Sequence, residues 1–158
     1  MLFEKILVPL DGSALAECVL PYVEKLAQGC EMKEITLLSI CEGPVIRADY
    51  PSDISPDWDK HVKELTEYTE KQCGLYLDKI QKELLSVGVP VKTATFIGRP
   101  ETDIAEYAKK NNMDMIVMAS HGRSGISRIA YGSITERVFR NACVPILIIR
   151  APGCVPGF

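Results

Sequence analysis

Lysine is missing from residues 115–158 of this 158-residue chain, aromatic residues make up 7% of the whole, and tryptophan occurs once. Readers of nucleic acid need basic clusters interleaved with stacking aromatics, so that class is disfavoured. No long hydrophobic run exists either. The longest, near Val144–Ile149, is far short of the ~20 residues that span a bilayer. Met1-Leu2-Phe3-Glu4-Lys5 offers no positive region followed by an apolar stretch, so a signal peptide is not expected and a cytosolic protein is. The six cysteines (18, 30, 41, 73, 143 and 154) contain no C-x-x-C and no metal-ligand spacing. They are expected to be reduced thiols acting as small buried hydrophobes. A Walker A motif is absent, which disfavours P-loop chemistry, and Ser124 is not in a Gly-x-Ser-x-Gly elbow. The Ser-Gly-Gly-x-Asp-Ser run of adenylate-forming PP-loop enzymes is also absent, which counts against an ATP-consuming ligase.

What is present describes a packed globular domain. Hydrophobic residues reach 47% and charged residues 25%, ordinary for a folded chain and too apolar for a disordered one. The length is close to the ~150 residues of a typical domain. Residues 1–150 therefore read as one domain and 151–158 as a frayed, flexible tail.

Along the chain, short apolar runs alternate with amphipathic stretches. Ile6-Leu7-Val8 reads as a strand closed by Pro9-Leu10-Asp11-Gly12. Leu15, Cys18, Val19, Tyr22 and Leu26 recur at helical spacing, which predicts one helix over Ser13–Gln28, kinked at Pro21. Ile35–Cys41 is a second strand. Three prolines in the stretch from Gly43 through Pro56 predict a long loop, taken broadly as 43–60. A long amphipathic helix follows from Asp57 to Val87, with Gly74 as its weak point. Val91–Ile97 is a strand, Pro100–Lys110 a helix opened by proline, and Asp114–Ala119 a strand. After a glycine-rich loop come a helix over Ser133–Asn141 and a last strand over Pro145–Arg150. This alternation predicts parallel crossovers and a three-layer α/β/α, Rossmann-like, doubly wound domain.

Ala119-Ser120-His121-Gly122, nine residues, then Gly132-Ser133 leaves a strand end and returns to a helix start, where open α/β sheets bind ligands. Glycines there let backbone N–H groups approach an anion, and the helix N-terminus favours phosphate. Two ordinary turns around a surface loop would carry the same glycines. Together with Ile6-Leu7-Val8-Pro9-Leu10-Asp11-Gly12-Ser13, with Asp114–Gly125, and with Val144-Pro145-Ile146-Leu147-Ile148-Ile149, this pattern resembles the universal stress protein family over nearly the whole chain.

The resemblance implies a five-stranded parallel sheet of order 3-2-1-4-5, a homodimer, and a subclass binding ATP, with or without Mg2+, between strands one and four. By position, Asp11 would contact the ribose, Pro9 would line the pocket, and the backbone of Ile40 would meet the adenine. Met118, Ala119, His121 and Gly122 would run beneath sugar and phosphates. Gly132, Ser133 and Ile134 would hold the triphosphate, with Arg123 a further partner. Ala119 departs from the pattern, which has its first glycine there, and this bears on affinity.

Other readings stay open at this stage. Asp11 beside Gly12 also fits a turn former and helix cap. Arg123, Arg128, Arg137 and Arg140 also fit a solvated face. His121 has no catalytic partner in sequence. The chain reads as a dimeric regulatory module of the stress response. Its alternatives are a nucleotide-free interaction protein of the same family and a slow ATPase. Dimerisation is expected through the last strand (Val144, Ile146, Ile148), an apolar edge that invites pairing. The net charge of -3 conceals a basic C-terminal third, in which residues 115–158 hold five arginines and one glutamate. That bias accommodates an anionic ligand.

Overall fold

The computed structural model describes residues 3–43, 56–122 and 132–152, with backbone alone at 56 and 57. Five strands form one parallel sheet: β1 (Lys5–Pro9), β2 (Glu34–Cys41), β3 (Val91–Ile97), β4 (Met115–Ala119) and β5 (Ile146–Ile149). Their order is β3-β2-β1-β4-β5, as the resemblance implies, with Ile6 beside both Ile35 and Met115. The order reverses at β1, so the carboxyl ends of β1 and β4 diverge there and leave a crevice.

Strand residues alternate between two cores, as a sheet covered on both faces requires. Ile6, Val8, Ile35, Leu37, Val117 and Ala119 face one cluster, together with Val23, Leu77 and Ile80 from the helices. Leu7, Leu38, Ile40, Ile116 and Met118 face the other, with Ile104, Ala108 and Val138. The first face is covered by α1 (Ala14–Glu17), α2 (Leu20–Gly29) and α3 (Pro56–Glu83), the second by α4 (Pro100–Lys110) and α5 (Ser133–Asn141).

Three expectations need correction. The single kinked helix over 13–28 is two helices, with Pro21 in the first turn of α2. Proline is suited to a first turn, where its missing N–H has no intrahelical partner anyway, and there it opens a helix rather than bending one. Helix α3 starts at Pro56 and runs unbroken through Gly74 to Glu83, so residues 56–60 are helix, not loop. A 3-10 turn over Leu85–Val87 follows, ended by Gly88 at φ 79°. The frayed tail does not start at 151: Ala151 is 2% exposed, and its N–H donates to Ser120 Oγ at 3.0 Å. Among the described residues, no helix is long and apolar enough to cross a membrane.

Candidate ligand cleft at the strand switch point

Strand β1 ends in Pro9, and the Leu10 N–H still donates to the Leu38 carbonyl at 2.8 Å. The chain then turns sharply, with Gly12 at φ 81°, a conformation that costs glycine little. Asp11 fastens this turn. Its Oδ1 accepts the Ser13 N–H at 2.9 Å and the Ser13 hydroxyl at 2.6 Å. Ser13 in turn caps α1, its Oγ accepting from Ala16 N at 3.1 Å. So Asp11 is a turn former, and Ser13 is the cap.

Across the crevice, β4 continues into Ser120, His121 and Gly122. Ser120 N–H donates to the Ile149 carbonyl at 2.7 Å, and Gly132 N–H donates back to the Ser120 carbonyl at 2.8 Å. That last bond brings the start of α5 against the end of β4. Thr135, 3% exposed, adds a second tie, its hydroxyl donating to the Ala119 carbonyl at 3.0 Å. His121 is 3% exposed, with Nδ1 3.1 Å from Ser120 Oγ. The N-cap of α5 is Gly132, which supplies no side-chain bond. The first N–H groups of that helix thus lack the usual capping oxygen and carry the positive end of the helix dipole.

Both glycines are set by close approach. A β-carbon at Gly122 would collide with the Asp11 carboxylate. At Gly132 it would sit 3.3 Å from the Ser120 carbonyl oxygen. Ala119, which departs from the motif, is a β4 residue paired with Ile149. Its φ is not positive; Asn112 is the one non-glycine with positive φ among the described residues. A methyl group there carries no backbone strain.

These segments enclose a cleft of about 450 Å³, within the range that holds small ligands. Pro9, Asp11, Ile40, Met118, Ala119, His121, Gly122, Gly132, Ser133 and Ile134 all line it. Arg123 lies outside the described residues. The wall also includes residues not anticipated: Glu42 after β2, Cys73 of α3, Pro100, Glu101 and Ile104 of α4, and Arg137 of α5. Arg137 follows Ser133 by four positions, one helical turn, so the motif itself could have pointed to it. The α4 residues had no such signal, because only the tertiary fold brings the β3–α4 turn beside β2. Among the described residues, no three His, Cys, Asp or Glu side chains group to hold a metal ion.

One expectation about cysteine is overturned. Cys41 and Cys73 are joined, with Sγ atoms 2.08 Å and Cα atoms 6.7 Å apart. Cys30 and Cys143 are exposed rather than buried. The pairing has no sequence signature because α3 crosses the end of β2 only in the folded chain. Odd positions of β2 face α3, and Cys41 is one of them.

Near the cleft, the Tyr76 hydroxyl donates to Glu17 Oε1 at 2.9 Å, tying α3 to α1. Burial, together with that carboxylate, raises the phenol pKa well above its ordinary value.

The sequence profile of the universal stress protein family matches residues 2–150. Universal stress protein MJ0577 of Methanocaldococcus jannaschii is 29% identical over 157 residues, covering 95% of this chain and 96% of that one. MJ0531 of the same organism is 28% identical over 151 residues, covering 96% and 84%. The solved structure of MJ0577 superposes with a TM-score of 0.80 at 27% identity, covering 97% of this chain and 99% of that one. At 17% identity the likeness is one of fold. Two such proteins are a universal stress protein solved with cAMP (TM-score 0.61, 94% and 98% covered) and one from Archaeoglobus fulgidus solved with dAMP (0.53, 94% and 99%). The profile spans nearly every residue from β1 through β5, and the chain belongs to the universal stress protein family.

Proposed function

We propose that the cleft binds an adenine nucleotide, ATP, and that the protein is a dimeric regulatory module of the stress response in the cytosol. The observation that carries this reading is convergence. Residues from the ends of β1, β2 and β4 and the start of α5, to which the family resemblance points, line one cleft. Asp11 Oδ2 faces the position of Gly122, where a ribose hydroxyl could donate to it. The N-terminus of α5, with Ser133 and Arg137, suits the phosphates. Fold relatives with cAMP and dAMP support an adenine ligand. Since no carboxylate cage exists among the described residues, any Mg2+ would ride on the phosphates.

The nucleotide-free reading rests on Ala119, which has ordinary strand conformation and lines the cleft. Any hydrolysis is expected to be slow or partner-dependent. For nucleotide to regulate, it must favour one conformation over another. Dimerisation is proposed along β5, an edge of the sheet, where Val144, Ile146 and Ile148 are half-buried. A second copy pairing there would satisfy its open backbone groups. The test is to denature freshly purified protein and identify released nucleotide by mass spectrometry. Adenine nucleotide is expected. Its absence, with no binding at millimolar ATP, overturns the reading.

A further inference from the structure

The disulfide stands in the wall of the cleft rather than on a remote surface. Cys41 ends β2, between Ile40 and Glu42, both of which line the cleft, and Cys73 lines it from α3. The two half-cystines differ in access. Cys41 is 4% exposed, with Thr95 Oγ1 3.4 Å from its sulfur. A bonded sulfur carries no proton, so the threonine donates. Cys73 is half-buried and reachable from the cleft. A domain with two continuous cores does not need a staple to fold, and cytosolic disulfides are usually redox-responsive rather than structural.

We propose that Cys41 and Cys73 are a reversible redox modification site of the nucleotide cleft, the disulfide form binding nucleotide more tightly than the dithiol form. This rests on the nucleotide reading above. Oxidation starts at Cys73, the more accessible sulfur. Its thiolate attacks a hydroperoxide, forming the sulfenic acid and releasing an alcohol or water. Cys41 thiol then displaces water from that sulfur to close the disulfide. The two electrons lost by the cysteines reduce the peroxide O–O bond. Reduction runs through a mixed disulfide with a small dithiol, which leaves oxidised as its own disulfide while both cysteines regain protons.

The bond fixes the end of β2 against α3 across a sequence separation of 32. A fixed wall lowers the ordering cost of binding. By linkage, bound nucleotide then stabilises the disulfide by the same factor. It also covers the Cys73 side of the bond, so reduction should slow.

The test compares full-length protein treated with hydroperoxide and with excess dithiol, the reagents then removed. Peptide mass spectrometry reads the Cys41–Cys73 link, and calorimetry reads ATP affinity. The oxidised form should yield the linked peptide and bind ATP about fivefold or more tightly, a usual size for coupled sites. Cys73→Ser should bind ATP with an affinity that neither reagent changes. Saturating ATP should slow reduction by dithiol. Absence of the linked peptide overturns the site. Equal or reversed affinities overturn the coupling and leave the nucleotide reading intact. Linked peptide without ATP binding in either form overturns the nucleotide reading and the coupling with it.

Discussion

Gly122 and Asp11 face each other across the crevice so closely that a β-carbon on the glycine would overlap the aspartate carboxylate. Asp11 cannot yield freely, because its other oxygen holds both the N–H and the hydroxyl of Ser13. The segments that follow β1 and β4 therefore meet at the place proposed for the ribose. Gly122→Ala is expected to weaken ATP binding by about tenfold or more, a loss of roughly 1.4 kcal/mol. Calorimetric titration checks this, with far-ultraviolet circular dichroism to establish that the fold persists.

Gly132→Val addresses the other side of the cleft. A β-carbon there lies 3.3 Å from the Ser120 carbonyl oxygen, so a branched side chain pushes the start of α5 off β4. ATP binding should fall while the dimer remains. Ile148→Glu should do the reverse, giving a monomer that still binds ATP, since Ile148 lies on the β5 edge and does not line the cleft. Sedimentation and titration of both variants separate the two surfaces. A monomeric Gly132→Val would mean that the cleft is misassigned.

Thr135→Val should cost stability directly. The threonine is 3% exposed and donates to the Ala119 carbonyl. Replacing its hydroxyl by a methyl leaves a buried acceptor without that donor, a loss of about 1–3 kcal/mol. A lower denaturation midpoint with an unchanged slope is expected.

Tyr76 gives a pH signature. Its phenol is held protonated in the folded state by burial and by Glu17. In the unfolded chain it ionises near its ordinary value of about 10. Above that pH the unfolded state binds fewer protons, so stability falls as pH rises, and is fully present below it. Tyr76→Phe should flatten this alkaline slope in denaturation curves measured across pH.

Strand identity was readable because hydrophobic runs and turn residues alternate without ambiguity, as at Met115-Ile116-Val117-Met118, whereas the order of the strands in the sheet came from the family resemblance. The split between α1 and α2 was harder, because Leu15, Cys18, Val19 and Tyr22 keep helical spacing across the break. The break at Cys18 and Val19, between α1 and α2, leaves no mark on that period. At the end of β4 and the start of α5 the motif residues were readable because Gly122 and Gly132 mark close approaches, whereas Pro9, Asp11 and Ile40 were readable only through the family resemblance. Glu101 and Ile104 were not, since α4 reaches the cleft through topology alone. The same holds for Cys73, whose partner is 32 positions away. Arg137 lay within reach of a helical-period argument from Ser133.

The central claim is that this cleft binds ATP, and calorimetric titration of nucleotide-free protein with ATP tests it most directly. The account predicts saturable binding with one site per chain, lost or strongly weakened in Gly122→Ala. No heat of binding up to millimolar ATP, or equal binding by the parent and Gly122→Ala, would contradict it.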